Sequence, residues 1–301
     1  GDTVMWGKPI TLAPNGETNV WLYAPVEPWA TASTRWTIRL REWIDGEPQG
    51  ELASTQFSST SIGAVQHKKN TGCIAVFGSR RLGLEGYQPF QPSDVKPESS
   101  IILSGLQLKD LPDAWPCLDS LDAIVWADTP PQFTYHQEKA LIRWIERGGH
   151  FIISLPTIGD FWNLGSEQGP LSTLFGGIEH DIEQVSLSSF SNILGRNKDW
   201  PFVELTVRTF PEEVTFGDSL RVPLAKTNRG QTFAIQGTFG FGAVSIIGVD
   251  LASGQLASVG LPETDVFWNR ILGKRGDTPS QHVVTRLKED NQLSFSIPTQ
   301  T

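Results

Sequence analysis

Residues 121–157 read LDAIVWADTPPQFTYHQEKALIRWIERGGHFIISLPT, and this stretch decides the fold. Ala123 to Ala127 is a short apolar run without polar alternation, the pattern of a strand covered on both faces. Thr134, followed three residues later by Gln137, has the form of a capping box and marks Thr134 as a helix N-cap. Leu141, Trp144 and Ile145 recur at helical spacing and give that helix one apolar stripe. Gly148-Gly149 provides the residue that can turn left-handed at the helix end. His150 to Leu155 is then the next buried strand. A strand, a crossover helix and a second strand this close together imply a parallel pair with a right-handed connection, hence an open α/β sheet.

Working outward, the chain has 301 residues, 39% of them hydrophobic, enough for one large or two modest domains with a sizeable core. No segment is long and apolar enough to span a bilayer. With 24 Lys and Arg against 33 Asp and Glu, the net charge is −9, and no basic cluster exceeds a pair such as Arg80-Arg81. That balance argues against a nucleic-acid backbone as partner. The chain starts at Gly1 and its single methionine is Met5. The expectation is a trimmed N-terminus, with this chain the exported soluble part of a larger, membrane-anchored protein. Cys73 and Cys117 read as two buried free thiols, or as a disulfide if the fold brings them close.

Residues 1–68 differ in texture from the rest. Turn signals recur about every ten residues, and Trp36, Ile38 and Leu40 alternate with Thr37, Arg39 and Arg41. This period of two predicts half-exposed antiparallel strands and a small β-sandwich domain. Five of the eleven Trp residues fall here: Trp6, Trp21, Trp29, Trp36 and Trp43. Exposed tryptophans on such a sandwich would stack on sugar rings; the alternative is packing in cores and interfaces, where Trp buries large area. Trp36 and Trp144 lie on apolar stripes, whereas Trp29 lies in a loop-like stretch.

The pattern over 69–275 is α/β. Cys73 to Phe77 and Ser100 to Leu103 read as buried strands, and 160–200 as a polar, irregular, insert-like region forming a lid or rim. Phe202 to Val207 reads as a strand. Thr232 to Gln236 and Ala243 to Val249 read as a hairpin, and Asp265 to Leu272 as a closing helix. Residues 276–301 are a polar tail. No internal repeat is evident.

Three stretches carry a family resemblance. "LDAIVWAD", a helix and "ERGGHFIISL" resemble a strand, a helix ending in a double glycine and the next strand of the class I glutamine amidotransferase-like fold. "GTFGFGAVSIIGVD" is similar to that family's late hairpin, and "ETDVFWNRIL" to its closing helix. The resemblance implies a flavodoxin-like, mostly parallel open sheet behind the small all-β sandwich. It also implies where a catalytic triad would stand. The nucleophile position falls at Pro156, Thr157 and Ile158, where there is no cysteine. The His-Pro-Glu run falls near Asp250 to Gly254, which reads Asp-Leu-Ala-Ser-Gly. The glycines of the oxyanion hole are replaced by Asp128-Thr129-Pro130-Pro131. No thiolate and base stand there for acyl transfer, so no catalytic residue is carried over.

Ligand sites in open α/β sheets lie outside the carboxyl ends of the strands. The cleft candidates there are Ser79, Arg80, Asp128, Thr157 and Asp160. Asp128 reads as a general base, a metal ligand or a hydroxyl acceptor, or else as a turn carboxylate. Arg80 reads as an anion-binding group or a solvated loop charge. The five histidines lack metal-ligand spacing, Glu179-His180-Asp181 being the one acidic-histidine cluster, so no metal and no cofactor are expected. Gly237, Gly240 and Gly242 read as a hairpin, since no helix follows to receive a phosphate. The expectation is a non-catalytic binding or interaction module with a protein or carbohydrate partner. Its alternative is a hydrolase of a sugar-like or amide substrate with Asp128 or Asp160 as base.

Overall fold

The computed structural model describes residues 10–11, 20, 22, 35–45, 47–58, 71–79, 82–84, 87, 99–159, 161–164, 169–175, 177–190, 202–211, 215–216, 219–259 and 264–273. The chain divides into two compact units, Gly1–Lys69 and Asn70–Thr301.

In the first unit the described element is a long antiparallel hairpin of β1 (Arg35–Ile44) and β2 (Glu47–Ser58). Its register sets Ile38 opposite Thr55 and Leu40 opposite Ala53, with irregularities on either side of Arg41. At the turn Asp45 takes φ 52, a left-handed conformation that Asp tolerates better than most residues. Trp43 is 58% exposed. The other strands expected of a sandwich over 1–68, and Trp29, lie outside the described residues.

The second unit is built on an eight-stranded mixed sheet. In chain order its strands are β3 (Thr71–Phe77), β4 (Ser99–Leu106), β5 (Ala123–Trp126), β6 (His150–Ser154), β9 (Thr215–Phe216), β10 (Ser219–Lys226), β11 (Thr232–Phe239) and β12 (Gly242–Ile247). Their spatial order is β4-β3-β5-β6-β12-β11-β10-β9. The first five strands run parallel, and the last three pair antiparallel. Alternate residues of the buried strands enter two separate cores. Ile74, Val76, Ala123, Val125, Ile152 and Ile247 belong to one, and Ala75, Phe77, Ile124, Trp126, Phe151 and Ile246 to the other. Burial on both faces is why these strands read as predominantly apolar runs without polar alternation.

The crossover between β5 and β6 is α1 (Tyr135–Glu146). Its capping box forms as the sequence predicts: Thr134 Oγ1 accepts from the Gln137 amide at 3.3 Å, and Gln137 Oε1 accepts from the Thr134 amide at 3.0 Å. Leu141, Trp144 and Ile145 pack into the second core. At the far end Gly148 takes φ 121, and a Cβ on Gly149 would overlap the Trp144 ring. The closing helix is α4 (Thr264–Leu272), which buries Phe267, Trp268, Ile271 and Leu272 in the first core.

Several elements differ from the sequence reading. Ser100 to Leu103, read as a buried strand, lies in β4 at the edge of the sheet, where Ser100 to Ile102 are half-buried and Leu103 is 36% exposed. The insert-like region holds α2 (Ser172–Phe175) and β7 (Asp181–Ser186), which pairs antiparallel with β8 (Glu204–Thr209) in a two-stranded sheet of its own. In β7 Val185 alone is fully buried, so its sequence lacks the apolar run or alternation that announces a strand. β10 also went unread, because Pro223 interrupts it; the ladder with β11 shifts register just after that residue, where a strand tolerates proline. Cys73 is buried and free as expected, while Cys117 is free but only half-buried, standing in a short turn, Trp115–Cys117.

Candidate functional site

The carboxyl ends of β3, β5, β6 and β12 lie side by side, and the loops leaving them hold most of the predicted site residues. β3 runs into Gly78 at φ 142, where a Cβ would overlap Asp128 Oδ1. The glycine thereby lets the Asp128 carboxylate approach the β3 loop. Asp128 Oδ1 accepts from the Ser79 amide at 2.8 Å, and Oδ2 from the Ser79 hydroxyl in a short contact. Both residues are exposed. Behind them Trp126 stacks on Phe77 at 4.5 Å between centroids, and its Nε1 donates to the Thr129 carbonyl at 2.6 Å. That aromatic floor fixes the path of the loop carrying Asp128.

A second carboxylate stands at the end of β12. Asp250 Oδ2 accepts from the Thr157 amide at 3.0 Å and the Thr157 hydroxyl at 2.9 Å, and Oδ1 accepts from the Ala252 amide at 3.0 Å. Beside it Ser154, the last residue of β6, donates its hydroxyl to the Val249 carbonyl at 2.9 Å and accepts from the Leu251 amide at 3.0 Å. These bonds lock the β6 and β12 exits together, and all but that of the Thr157 hydroxyl satisfy a backbone group beyond the strand ends. Hydrogen bonding thus pairs two of the predicted residues with each other, Ser79 with Asp128, and the third, Thr157, with Asp250, which was not predicted. Arg80 and Asp160 lie outside the described residues.

Sequence reasoning missed Asp250 and Arg208. Asp250 has the same signature as Asp128, an acidic residue directly after a buried apolar run, and was legible. Arg208 was not. It lies in β8, its amide donates to the Gly248 carbonyl at 2.8 Å, and the residue is 7% exposed. Nη1 contacts His180 Nε2 at 2.7 Å, and Nη2 donates to the Gly159 carbonyl in a short contact. Arginine only donates, so the His180 nitrogen facing it is the acceptor and carries no proton. Of the Glu179-His180-Asp181 cluster, it is His180 that meets the guanidinium. Among the described residues no group of three or more His, Cys, Asp or Glu is placed to hold a metal ion.

His150 lies at the amino end of β6, away from these loops. Its Nε2 is 2.8 Å from Ser245 Oγ, and Gln236 Nε2 approaches both. A serine beside a histidine invites a nucleophilic reading, but Ser245 is fully buried, which closes it to substrate. The trio joins β6, β12 and β11 across the first core face. Cys73 has its own environment: burial first, and then the Asp122 carboxylate, push its thiol up to about 11. Cys117 is raised as well, by burial and then by Asp113. Raised thiols are poor nucleophiles.

No family model matches this chain, and no curated protein does. Solved structures resemble it distantly. A cytoplasmic protein of Salmonella typhimurium is 10% identical over 80% of this chain and 95% of its own, with a TM-score of 0.38. Another cytoplasmic protein, from Salmonella typhimurium LT2, is 13% identical over 80% and 96%, at 0.37. An exo-β-1,4-mannosidase of Opitutaceae bacterium strain TAV5 is 12% identical over 62% of this chain and 33% of its own, at 0.32. No helix among the described residues is long and apolar enough to cross a membrane.

Proposed function

We propose that this chain is a glutamine amidotransferase-like protein without amidotransferase activity, a flavodoxin-like sheet behind a small β-sandwich, acting as a binding or interaction module for a protein or carbohydrate partner. The reading is supported first by the strand order. Numbered as they appear in the chain, the five parallel strands lie 2-1-3-4-5, the order of flavodoxin-like sheets. The observation that carries the functional half is the state of the strand-end carboxylates. Both oxygens of Asp128 hold donors from Ser79, and both oxygens of Asp250 hold donors from Thr157 and Ala252. Each carboxylate fastens one loop to another, which is the work of a scaffold. His180 faces Arg208 and His150 faces Ser245, so neither imidazole contacts these carboxylates in a described hydrogen bond.

The hydrolase alternative draws on one observation, that Asp128 is exposed with a hydroxyl beside it. One assay separates the two readings. The purified chain is incubated with glutamine and with chromogenic amides and glycosides, alongside Asp128→Asn. Product release no faster than buffer for both proteins is the expected result. Turnover by the parent chain that disappears in Asp128→Asn would establish the hydrolase instead.

A further inference from the structure

Arg208 is a buried cation whose described partners include no anion. Its described contacts are the imidazole of His180 and the carbonyl of Gly159, and no described carboxylate forms an ion pair with it. A guanidinium removed from water is ordinarily compensated by an anion, and here the nearest acceptors carry only partial charge. Two of its N–H groups are engaged, one on each Nη, which leaves Nε–H and one further hydrogen on each Nη. The edge formed by Nε and an Nη matches the two oxygens of a carboxylate.

Its placement agrees with this. Arg208 reaches the loop leaving β6 through Gly159, itself exposed and at φ 83. That loop lies at the carboxyl end of the parallel sheet, where open α/β sheets receive ligands. Exposed apolar side chains of the same loop, Ile158 at 84% and Phe161 at 42%, suit the carbon skeleton of a small organic acid. We propose that Arg208, steered by His180, anchors a binding site for a small organic carboxylate beside Gly159, at the exit of β6. The proposal rests on reading this chain as a binding module and names the chemistry that one of its sites would take. A chain of net charge −9 does not gather anions indiscriminately, so a carboxylate response would be informative.

The test is thermal unfolding of the full chain with succinate, citrate or inorganic phosphate, each against sodium chloride at equal ionic strength. Succinate or citrate should raise the melting temperature by several degrees near saturation, and Arg208→Lys, which keeps the charge but loses the fork, should abolish most of the rise. Should that variant fail to fold, a 15N-arginine spectrum of the parent chain gives the same information: an Arg Nε–H resonance should shift on succinate titration. Equal responses in Arg208→Lys and parent, a response to phosphate alone, or no shift with any anion in either measurement would each overturn the site. A carboxylate that binds and is then consumed would leave the site standing and remove the non-catalytic reading. Absent anion binding together with absent glutamine turnover would do the reverse.

Discussion

At the scale of single residues, the most consequential side chain at the strand ends is one whose described partners are all uncharged. Asp250 receives three hydrogen bonds, two from Thr157 and one from Ala252, and so holds the β6 exit against the β12 exit. Asp250→Ala strands three donors at once and should cost about 2–3 kcal/mol, a fall in melting temperature of roughly 4–10 °C. Thr157→Val removes one of those bonds at nearly constant volume and should cost only about 1 kcal/mol; equal losses in the two variants would show that Asp250 is not the hub. Cys73 supplies a pH dependence. Its folded thiol is raised from 9.0 to about 11, so between those values the folded state holds a proton that the unfolded state has released. Stability contributed by the protonated thiol is complete below pH 9 and is lost as pH rises toward 11. A melting series from pH 8 to 11 should show the decline, and Cys73→Ala should flatten it. The same burial predicts that Cys73 resists iodoacetamide in the folded chain at pH 8 and reacts only when unfolded.

At the scale of elements, α1 is anchored by more than its apolar stripe. Gln137 closes the capping box with its carbonyl oxygen and, with its amide nitrogen, donates to the Leu108 carbonyl at 3.2 Å and the Leu111 carbonyl at 2.9 Å. One buried side chain therefore ties the helix start to the connection that follows β4. Gln137→Ala should destabilise by about 2–3 kcal/mol, well beyond the roughly 1 kcal/mol of a lost cap, for which Thr134→Ala is the control. Chemical denaturation with an unchanged m-value checks both. The other end of α1 meets the β11–β12 hairpin at close range. A Cβ on Gly242 would overlap the carbonyl oxygens of Ile145 and Gly149, and backbone cannot yield as a side chain can. Gly242→Ala should cost about 3 kcal/mol or more, measured as a lower denaturation midpoint or as loss of soluble protein.

At the scale of the molecule, the division at 69/70 separates a unit whose described part is one hairpin from a unit with two cores. The second unit buries both faces of its sheet within its own residues. A chain of residues 70–301 should therefore unfold in one cooperative transition. It should also keep the near-ultraviolet signal of the Trp126, Phe133, Phe151 and Trp162 cluster, whose rings lie 5.0–6.4 Å apart. A broad, non-cooperative melt would show that the second unit depends on the first. In the hairpin, by contrast, the Arg39–Glu51 ion pair at 3.6 Å is about half-exposed on each side, and pairs of that kind contribute little.

What the sequence determined by itself is local or periodic. The crossover of β5, α1 and β6, the capping box at Thr134, the late hairpin and the closing helix all follow from runs, spacings and caps that a few neighbouring residues encode. Predominantly apolar runs in 123–127 and 150–155 foretold a doubly covered sheet, because burial on both faces leaves room for a polar residue only where it finds a hydrogen-bond partner, as His150 and Ser154 do. Only the tertiary structure decided the rest. β7 takes its strand conformation from pairing with β8, some twenty residues on, and nothing in its own composition demands it. Ser79 meets Asp128 across 49 residues, Thr157 meets Asp250 across 93, and Arg208 reaches Gly159 across 49. Such meetings depend on which strands become neighbours, and a carboxylate or guanidinium carries no mark in the sequence of the partner it will find.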